Sequence, residues 1–75
     1  MRILSSPIWV KEILARNGDL IDLEFRCDPC FQRAKDGAYA YWYADYRQAM
    51  RSDLSTDYRT YCKSCESVLA EVEED

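Results

Sequence analysis

The chain has 75 residues, with 14 acidic and 10 basic side chains and a formal net charge of −4. A domain of this length lies near the lower limit at which apolar burial alone offsets conformational entropy. No run of eighteen apolar residues is present, and the net negative charge disfavours phosphate backbones as partners. We therefore predict a single domain, residues 1–75, that needs a further stabilising element and has no membrane partner.

Residues 6–18 combine a helix-start signal with a turn signal. Ser6-Pro7 offers a hydroxyl N-cap followed by a proline, which is favoured in the first turn of a helix. Asn17-Gly18 would end such a helix, although the same dipeptide also favours a β-hairpin turn. The apolar residues between these signals share one helical face: Trp9, Val10, Ile13 and Leu14. We predict an N-terminal helix, with a hairpin as the alternative.

The segment from Leu20 to Arg26 has the alternation of a β-strand. Its apolar side chains alternate with charged ones, as expected for a strand with one solvated face. The segment leads directly into Cys27, as a strand leads into a metal-binding turn.

The four cysteines form two couplets, Cys27–Cys30 and Cys62–Cys65, and the chain contains no histidine. Two residues between the members of a couplet allow both thiolates to chelate one ion from a single turn. Two such turns supply the tetrahedral sulfur set of a closed structural zinc site. We predict one structural Zn²⁺ bound by Cys27, Cys30, Cys62 and Cys65, with iron as an alternative metal.

Two disulfides are the competing interpretation of the four cysteines, and they would allow three connectivities. The first residues carry no apolar run long enough for a signal peptide, which favours a reducing, cytoplasmic location and therefore the metal. A closed four-sulfur site leaves no position for a catalytic water, and the chain has no histidine to act as a base. We therefore predict that the protein is not an enzyme and has no small-molecule substrate.

The segment after Gly37 is rich in tyrosine and tryptophan. Its aromatic residues keep helical spacing, so we predict a central helix from about 38 to 53; alternation over the first half leaves a strand as the alternative. Tyrosine and tryptophan are frequent anchors of protein interfaces, although these rings would equally serve as the core. The predicted partner-binding residues are Tyr39, Tyr41, Trp42, Tyr46, Arg47 and Arg51.

The second couplet is predicted to open a C-terminal helix. Thiolates at a helix N-terminus gain from its free amides and dipole. Val68, Leu69 and Val72 would form the apolar stripe of this helix. The acidic residues at 71–75 would lie at the unfavourable end of the dipole, so we expect this tail to fray.

A strand that leads into one couplet, with a second couplet opening a helix, resembles the treble-clef and zinc-ribbon class of four-cysteine zinc fingers over residues 21–72. The resemblance implies a small metal-stabilised α+β fold that binds other proteins or nucleic acids, often in transcription or translation. The spacing also resembles rubredoxins, small acidic iron carriers whose couplets are each followed by glycine. Phe31 and Glu66 stand at those positions here.

The sequence thus predicts a small intracellular zinc protein that docks on a larger protein as a regulator or inhibitor. Through the resemblance, the transcription machinery is the expected target, in the manner of a phage or host regulator. The alternatives are a finger that binds nucleic acid through Arg47 and Arg51, or an iron electron carrier.

Overall fold

The structure is a computed structural model that describes residues 1–37 and 44–72. These residues form two three-stranded antiparallel sheets and one α-helix of eight residues. The elements, in chain order, are β1 (Arg2–Ile3), β2 (Ile8–Leu14), β3 (Leu20–Cys27), α1 (Asp28–Lys35), β4 (Arg47–Gln48), a short 3-10 helix (Arg51–Asp53), β5 (Thr60–Tyr61) and β6 (Val68–Glu71). In this part of the chain, no helix is long and apolar enough to cross a membrane.

The predicted N-terminal helix is wrong, because its residues form β2, the middle strand of the sheet β3-β2-β4. β2 and β3 make a hairpin in which Val10 lies opposite Phe25. The turn uses the Asn-Gly signal: Gly18 has a φ of 90°, and the Asn17 side chain accepts a hydrogen bond from the Asp19 amide at 3.1 Å. The hairpin alternative is therefore confirmed.

The apolar run at the start of β2 explains this error. Ile8 and Val10 are buried on one face of the sheet. Trp9 lies on the other face, where its ring stacks on Phe31 of α1 with 4.0 Å between centroids. Since both faces of β2 are covered at this end, the strand is apolar on both sides, a pattern that resembles a buried helix segment.

The second sheet has the order β1-β6-β5, and it replaces the predicted C-terminal helix. The residues Val68–Glu71 form its middle strand, with Leu69 and Ala70 buried. β1 pairs with one edge of β6 and β5 pairs with the other. This pairing supplies backbone hydrogen bonds to β6 in the extended conformation. The helix was predicted from three apolar residues, and so few residues cannot distinguish the 3.6-residue period of a helix from the two-residue period of a strand.

The predicted central helix is not observed in the portion of its span that the structure describes. Residues 38–43, with Tyr39, Tyr41 and Trp42, lie outside the described residues. Residues 44–53 contain a turn, β4 and the short 3-10 helix, and β4 pairs with β2. This pairing supplies backbone partners that the helix would have supplied internally.

Helix α1 was not predicted, although its signals are present in the sequence. Pro29 lies in its first turn, where the missing amide proton has no helical partner to lose. An acidic residue, Asp28, begins the helix, and basic residues, Arg33 and Lys35, end it, which complements the helix dipole. The predicted α+β fold with three helices is therefore wrong: residues 1–37 and 44–72 form a mostly β fold with one short α-helix.

A small buried cluster lies between the two sheets. Its six members come from both sheets and from the segments that connect them: Ile8, Cys27, Leu54, Cys62, Leu69 and Ala70. Two of these residues are cysteines, one from each couplet, so the cysteine cluster is part of the core.

Candidate metal centre

The first couplet joins β3 to α1. Cys27 is the last residue of β3 and precedes the helix, and Cys30 lies in the first turn of α1. The strand into Cys27 was predicted correctly, whereas the helix follows the first couplet rather than the second. Pro29 lies between the two cysteines of this couplet, in the first turn of α1, where a helix tolerates proline.

The second couplet forms a tight turn between β5 and β6. The Cys62 amide donates to the Ser67 carbonyl, and the Glu66 amide donates to the Cys62 carbonyl, both at 2.9 Å. Glu66 has a φ of 63°, in the left-handed region that usually favours glycine. Glu66 therefore takes the backbone conformation that glycine provides in the turns of rubredoxin-type couplets, which is why the absence of glycine did not prevent the turn.

The four sulfur atoms of the two couplets come together at one point. All four Sγ atoms lie within 4.8 Å of one another, and those of Cys27 and Cys65 are 3.7 Å apart. Ligands of a tetrahedral ion with bonds of about 2.3 Å are separated by about 3.8 Å. All four cysteines are free in this structure, and their convergence favours the metal interpretation over two disulfides. The cluster has the size and the chemistry of a four-thiolate metal site.

Backbone hydrogen bonds join the two halves of the cluster directly. The Cys27 amide donates to Cys62 Sγ at 3.4 Å, and the Lys63 amide donates to the Phe25 carbonyl at 2.8 Å. The edge of β3 therefore contacts the second couplet through both a sulfur and a carbonyl. The site lies where the two sheets meet.

Two of the thiols are prepared for ionisation by their neighbours. The Ser67 hydroxyl and amide lower the pKa of Cys65 to about 6. Burial opposes ionisation of Cys62, but the amides of Cys65, Cys27 and Ser64 together lower its pKa. Amide donors of this kind stabilise a thiolate in the same way whether or not it carries a metal ion.

The other two thiols favour the protonated form. Burial raises the pKa of Cys30 to about 12, with a further contribution from the neighbouring thiols. Burial also raises the pKa of Cys27, more than the Cys30 amide lowers it. Four thiolates this close together repel one another, so a cation is the partner that would allow all four to ionise.

Side chains around the cluster fix the elements that carry the cysteines. Trp9 Nε1 donates to Asp28 Oδ1 at 2.9 Å, which ties β2 to the start of α1. The Arg26 guanidinium donates to the Ser64 hydroxyl within the second turn and to the Tyr46 hydroxyl at 3.1 Å. Each couplet therefore has a polar contact with an element other than its own.

Three of the predicted partner-binding residues, Tyr46, Arg47 and Arg51, are among the residues that the structure describes. The Tyr46 hydroxyl donates to Glu24 at 3.3 Å, and its ring contacts Phe31. The Arg47 guanidinium donates to both Asp53 oxygens, at 2.7 and 2.9 Å. Arg51 is exposed. A partner-binding role for these three residues stays a prediction.

Comparison of the chain with protein-family models, with curated proteins and with solved structures gives no match. The resemblance to four-cysteine zinc fingers therefore rests on the couplets and their geometry. What the described residues show is a small protein with four cysteines positioned to bind a metal ion.

Proposed function

We propose that the chain is a non-catalytic protein-interaction module whose fold is held by one structural zinc ion. The observation that carries the proposal is the convergence of four free thiols, two from each couplet, within 4.8 Å. Zinc suits this site because it accepts four thiolates in a tetrahedron without a preferred electronic geometry and without redox chemistry. When bound, the ion would cross-link β3 and α1 to the turn between β5 and β6.

The proposed role is not catalytic because the four sulfurs would fill all four coordination positions. A zinc ion in a catalytic site keeps one position for water or substrate. The residues that surround the cluster, among those the structure describes, donate amides and hydroxyls to the sulfurs and so support the ligands themselves.

The proposed partner is a protein because of the apolar surface that the fold leaves open. Several large apolar side chains are more than half exposed, with Tyr58 at 70% and Ile21 at 64%. Exposed apolar side chains that lie together mark interaction surfaces more often than isolated ones do. No observation ties the chain to the transcription machinery, so the proposed partner is defined only as a protein.

A nucleic-acid partner is less well supported. Arg47 forms ion pairs with Asp53 and Glu12, and Arg59 forms one with Glu71. These pairs reduce the positive charge available for phosphate contacts.

Metal content tests the first part of the proposal. Native mass spectrometry of the purified chain should show one zinc ion per molecule, and a Cys62→Ser variant should lose it. Cobalt substitution should give the absorption of a tetrahedral thiolate complex. A red sample with thiolate-to-iron absorption would show that the bound metal is iron. A folded chain that contains no metal would contradict the proposed metal site.

Affinity capture tests the second part. Zinc-loaded and metal-free chains serve as matched baits in a lysate of the cells that produce the protein. A partner retained by the zinc-loaded chain alone supports a folded interaction module. Identical proteins on both baits, or none on either, argue against it.

A further inference from the structure

Two sheet edges diverge from the cysteine cluster and enclose a groove. β3 is an outer strand of one sheet, and β5 is an outer strand of the other. They touch near the cluster, where the Lys63 amide donates to the Phe25 carbonyl at 2.8 Å. Farther from the cluster they separate around an open groove of about 1030 Å³, bounded by the first residues of β3 on one side and by residues 53–61 on the other. We name this space the β3–β5 groove.

The edge of β3 that faces the groove has backbone groups available for pairing. The Phe25 carbonyl and the Cys27 amide both point away from β2, since each bonds to the second couplet. Alternation along the strand places the amide and carbonyl of Leu23 on the same side. The Leu23 amide donates to the adjacent Asp22 carboxylate at 2.8 Å, and β2 is the one strand paired with β3 in the described residues. This edge can therefore accept an added strand, which would use the Leu23 carbonyl and displace the Asp22 carboxylate from the Leu23 amide.

The groove has apolar side chains on both walls. Leu20 and Ile21 of β3 are 55% and 64% exposed, and Tyr58 and Tyr61 on the opposite wall are 70% and 51% exposed. An added strand places alternate side chains on opposite faces, so every second residue could contact these groups. Such contacts would bury apolar surface that is now in water.

The charges at the groove define the chemistry of the occupant. Asp22 and Asp57 line it, and neither forms an ion pair within the described part of the chain. The basic residue of the lining, Arg59, lies 3.6 Å from Glu71. The occupant that complements this surface carries positive charge.

We propose that the β3–β5 groove binds an extended peptide segment of alternating basic and apolar residues as an added strand on β3. The proposal rests on the protein-interaction function proposed above and specifies its surface and its partner chemistry. The edge from Leu20 to Glu24 is about 17 Å long, which matches about five residues of the partner. The register of β3 against β2 shifts between Leu20 and Asp22, so the regular part of this edge lies from Asp22 to Glu24.

A second copy of this chain fits the groove less well. Antiparallel self-pairing of two β3 strands about Leu23 places Asp22 of each copy opposite Glu24 of the other. Like charges directly opposite each other destabilise a pair of strands. The same geometry favours a lysine or arginine opposite each of these carboxylates.

Peptide binding to the full zinc-loaded chain tests the proposal. The probe is a fluorescently labelled eight-residue peptide of alternating lysine and valine, and fluorescence anisotropy follows its binding. A matched peptide of alternating glutamate and valine should bind at least tenfold more weakly. A lysine-valine peptide methylated on every second backbone nitrogen should also lose at least tenfold, because it cannot complete the ladder.

Two variants of the protein locate the binding to the groove. Ile21→Ser removes an exposed apolar side chain from the groove wall and should weaken binding about tenfold. Leu14→Ser is the matched control, since Leu14 is 52% exposed on the same hairpin but does not line the groove. Its affinity for the peptide should equal that of the unmodified chain.

Three results would overturn the groove proposal: binding of the glutamate–valine peptide or the methylated peptide that equals binding of the lysine–valine peptide, equal effects of Ile21→Ser and Leu14→Ser, or no binding by a folded chain with one zinc. A zinc-loaded dimer that ignores the peptide would assign the groove to a second copy instead. A chain that contains no zinc contradicts the proposed function rather than the groove.

Discussion

Glu66 has a backbone conformation that its side chain does not favour. Its φ of 63° lies in the left-handed region, where a residue with a Cβ atom costs about 1–2 kcal/mol relative to a right-handed conformation. The turn requires this conformation because the Glu66 amide returns to the Cys62 carbonyl. The second cysteine turn therefore forms at some cost in backbone energy.

Glu66→Gly should raise the free energy of unfolding of the zinc-loaded chain by about 0.5–1 kcal/mol, because relief of this cost exceeds the added chain entropy of the unfolded state. Urea midpoints measure the change. Lys63→Gly is the control, since Lys63 in the same turn has no positive φ and should only lose stability. A lower midpoint for Glu66→Gly than for the unmodified chain would contradict the assignment.

Trp9 connects β2 to the helix that carries Cys30. Its ring stacks on Phe31, and its indole nitrogen donates to Asp28 at 2.9 Å. Trp9→Phe keeps the stacking and loses the hydrogen bond, so it should lower the free energy of unfolding by about 1–2 kcal/mol. Urea denaturation measures this loss, and Asp28→Asn, which retains an acceptor oxygen, should lose less. Equal losses would mean that the hydrogen bond is not the source of the effect.

At the scale of elements, one carboxylate fixes the 3-10 helix against β4. Asp53 accepts two hydrogen bonds from Arg47 and one from the Met50 amide at 2.7 Å. The Arg47 guanidinium contributes most to holding the pKa of Asp53 below its usual value. The charged form of Asp53 therefore stabilises the folded chain.

Asp53→Asn should lower the free energy of unfolding by about 1 kcal/mol at neutral pH, a modest value because solvent screens the exposed guanidinium. The folded-state pKa lies below the unfolded value of about 3.9, so the contribution is complete above that value and lost as the pH falls through the folded-state pKa. The deficit measured by urea denaturation with excess zinc should be the same at pH 6 and pH 8. Asp45→Asn, an exposed control, should show no deficit; a deficit that varies between pH 6 and 8 would contradict the mechanism.

Sequence patterns predicted the parts of the fold that local chemistry determines. The alternation in β3 and the spacing of the couplets are local signals, and they correctly predicted the strand and the convergence of the four cysteines. β2 was misassigned because Trp9 and Val10 are covered on opposite faces of the sheet, Trp9 by Phe31 of α1. The sequence of one strand does not show which elements will cover its two faces. Helix α1 was missed because its start signals, Asp28 and Pro29, lie inside the first cysteine couplet, which was interpreted only as a metal-binding turn.

The structure confirms that the two cysteine couplets come together, but the elements predicted to carry the second couplet are wrong. Cysteine spacing alone identifies a four-sulfur site. The order of helix and turn was reversed, because the free amides that stabilise Cys62 come from a turn and from β3 rather than from a helix. The amide of Cys27 reaches Cys62 through a tertiary contact, and no sequence pattern near the second couplet predicts that contact.

At the scale of the whole molecule, the buried cluster is small and includes two of the proposed ligands. Cys27 and Cys62 are two of its six members, so the metal site and the apolar core occupy the same place. A structural zinc contributes about 10–16 kcal/mol in small fingers, as much as the entire stability of a typical domain. The folded state should therefore depend on the ion.

Removal of the metal with an excess of a strong chelator should unfold the chain. Near-ultraviolet circular dichroism should be lost and the tryptophan emission should shift to the red. Added zinc should restore both signals, whereas magnesium should not, because thiolates bind hard cations poorly. Unchanged spectra in a sample shown to contain no metal would contradict the dependence.

The contact between β3 and the second couplet also bears on how the metal affects the groove. The two hydrogen bonds from the Cys27 and Lys63 amides join β3 to the second couplet at the end of the groove nearest the cysteine cluster. A larger ion in place of zinc would have longer bonds to the four sulfurs. We therefore expect it to move β3 away from the turn between β5 and β6 and to change the width of the groove. Metal supply would then regulate how many copies of the protein are competent to recognise their target.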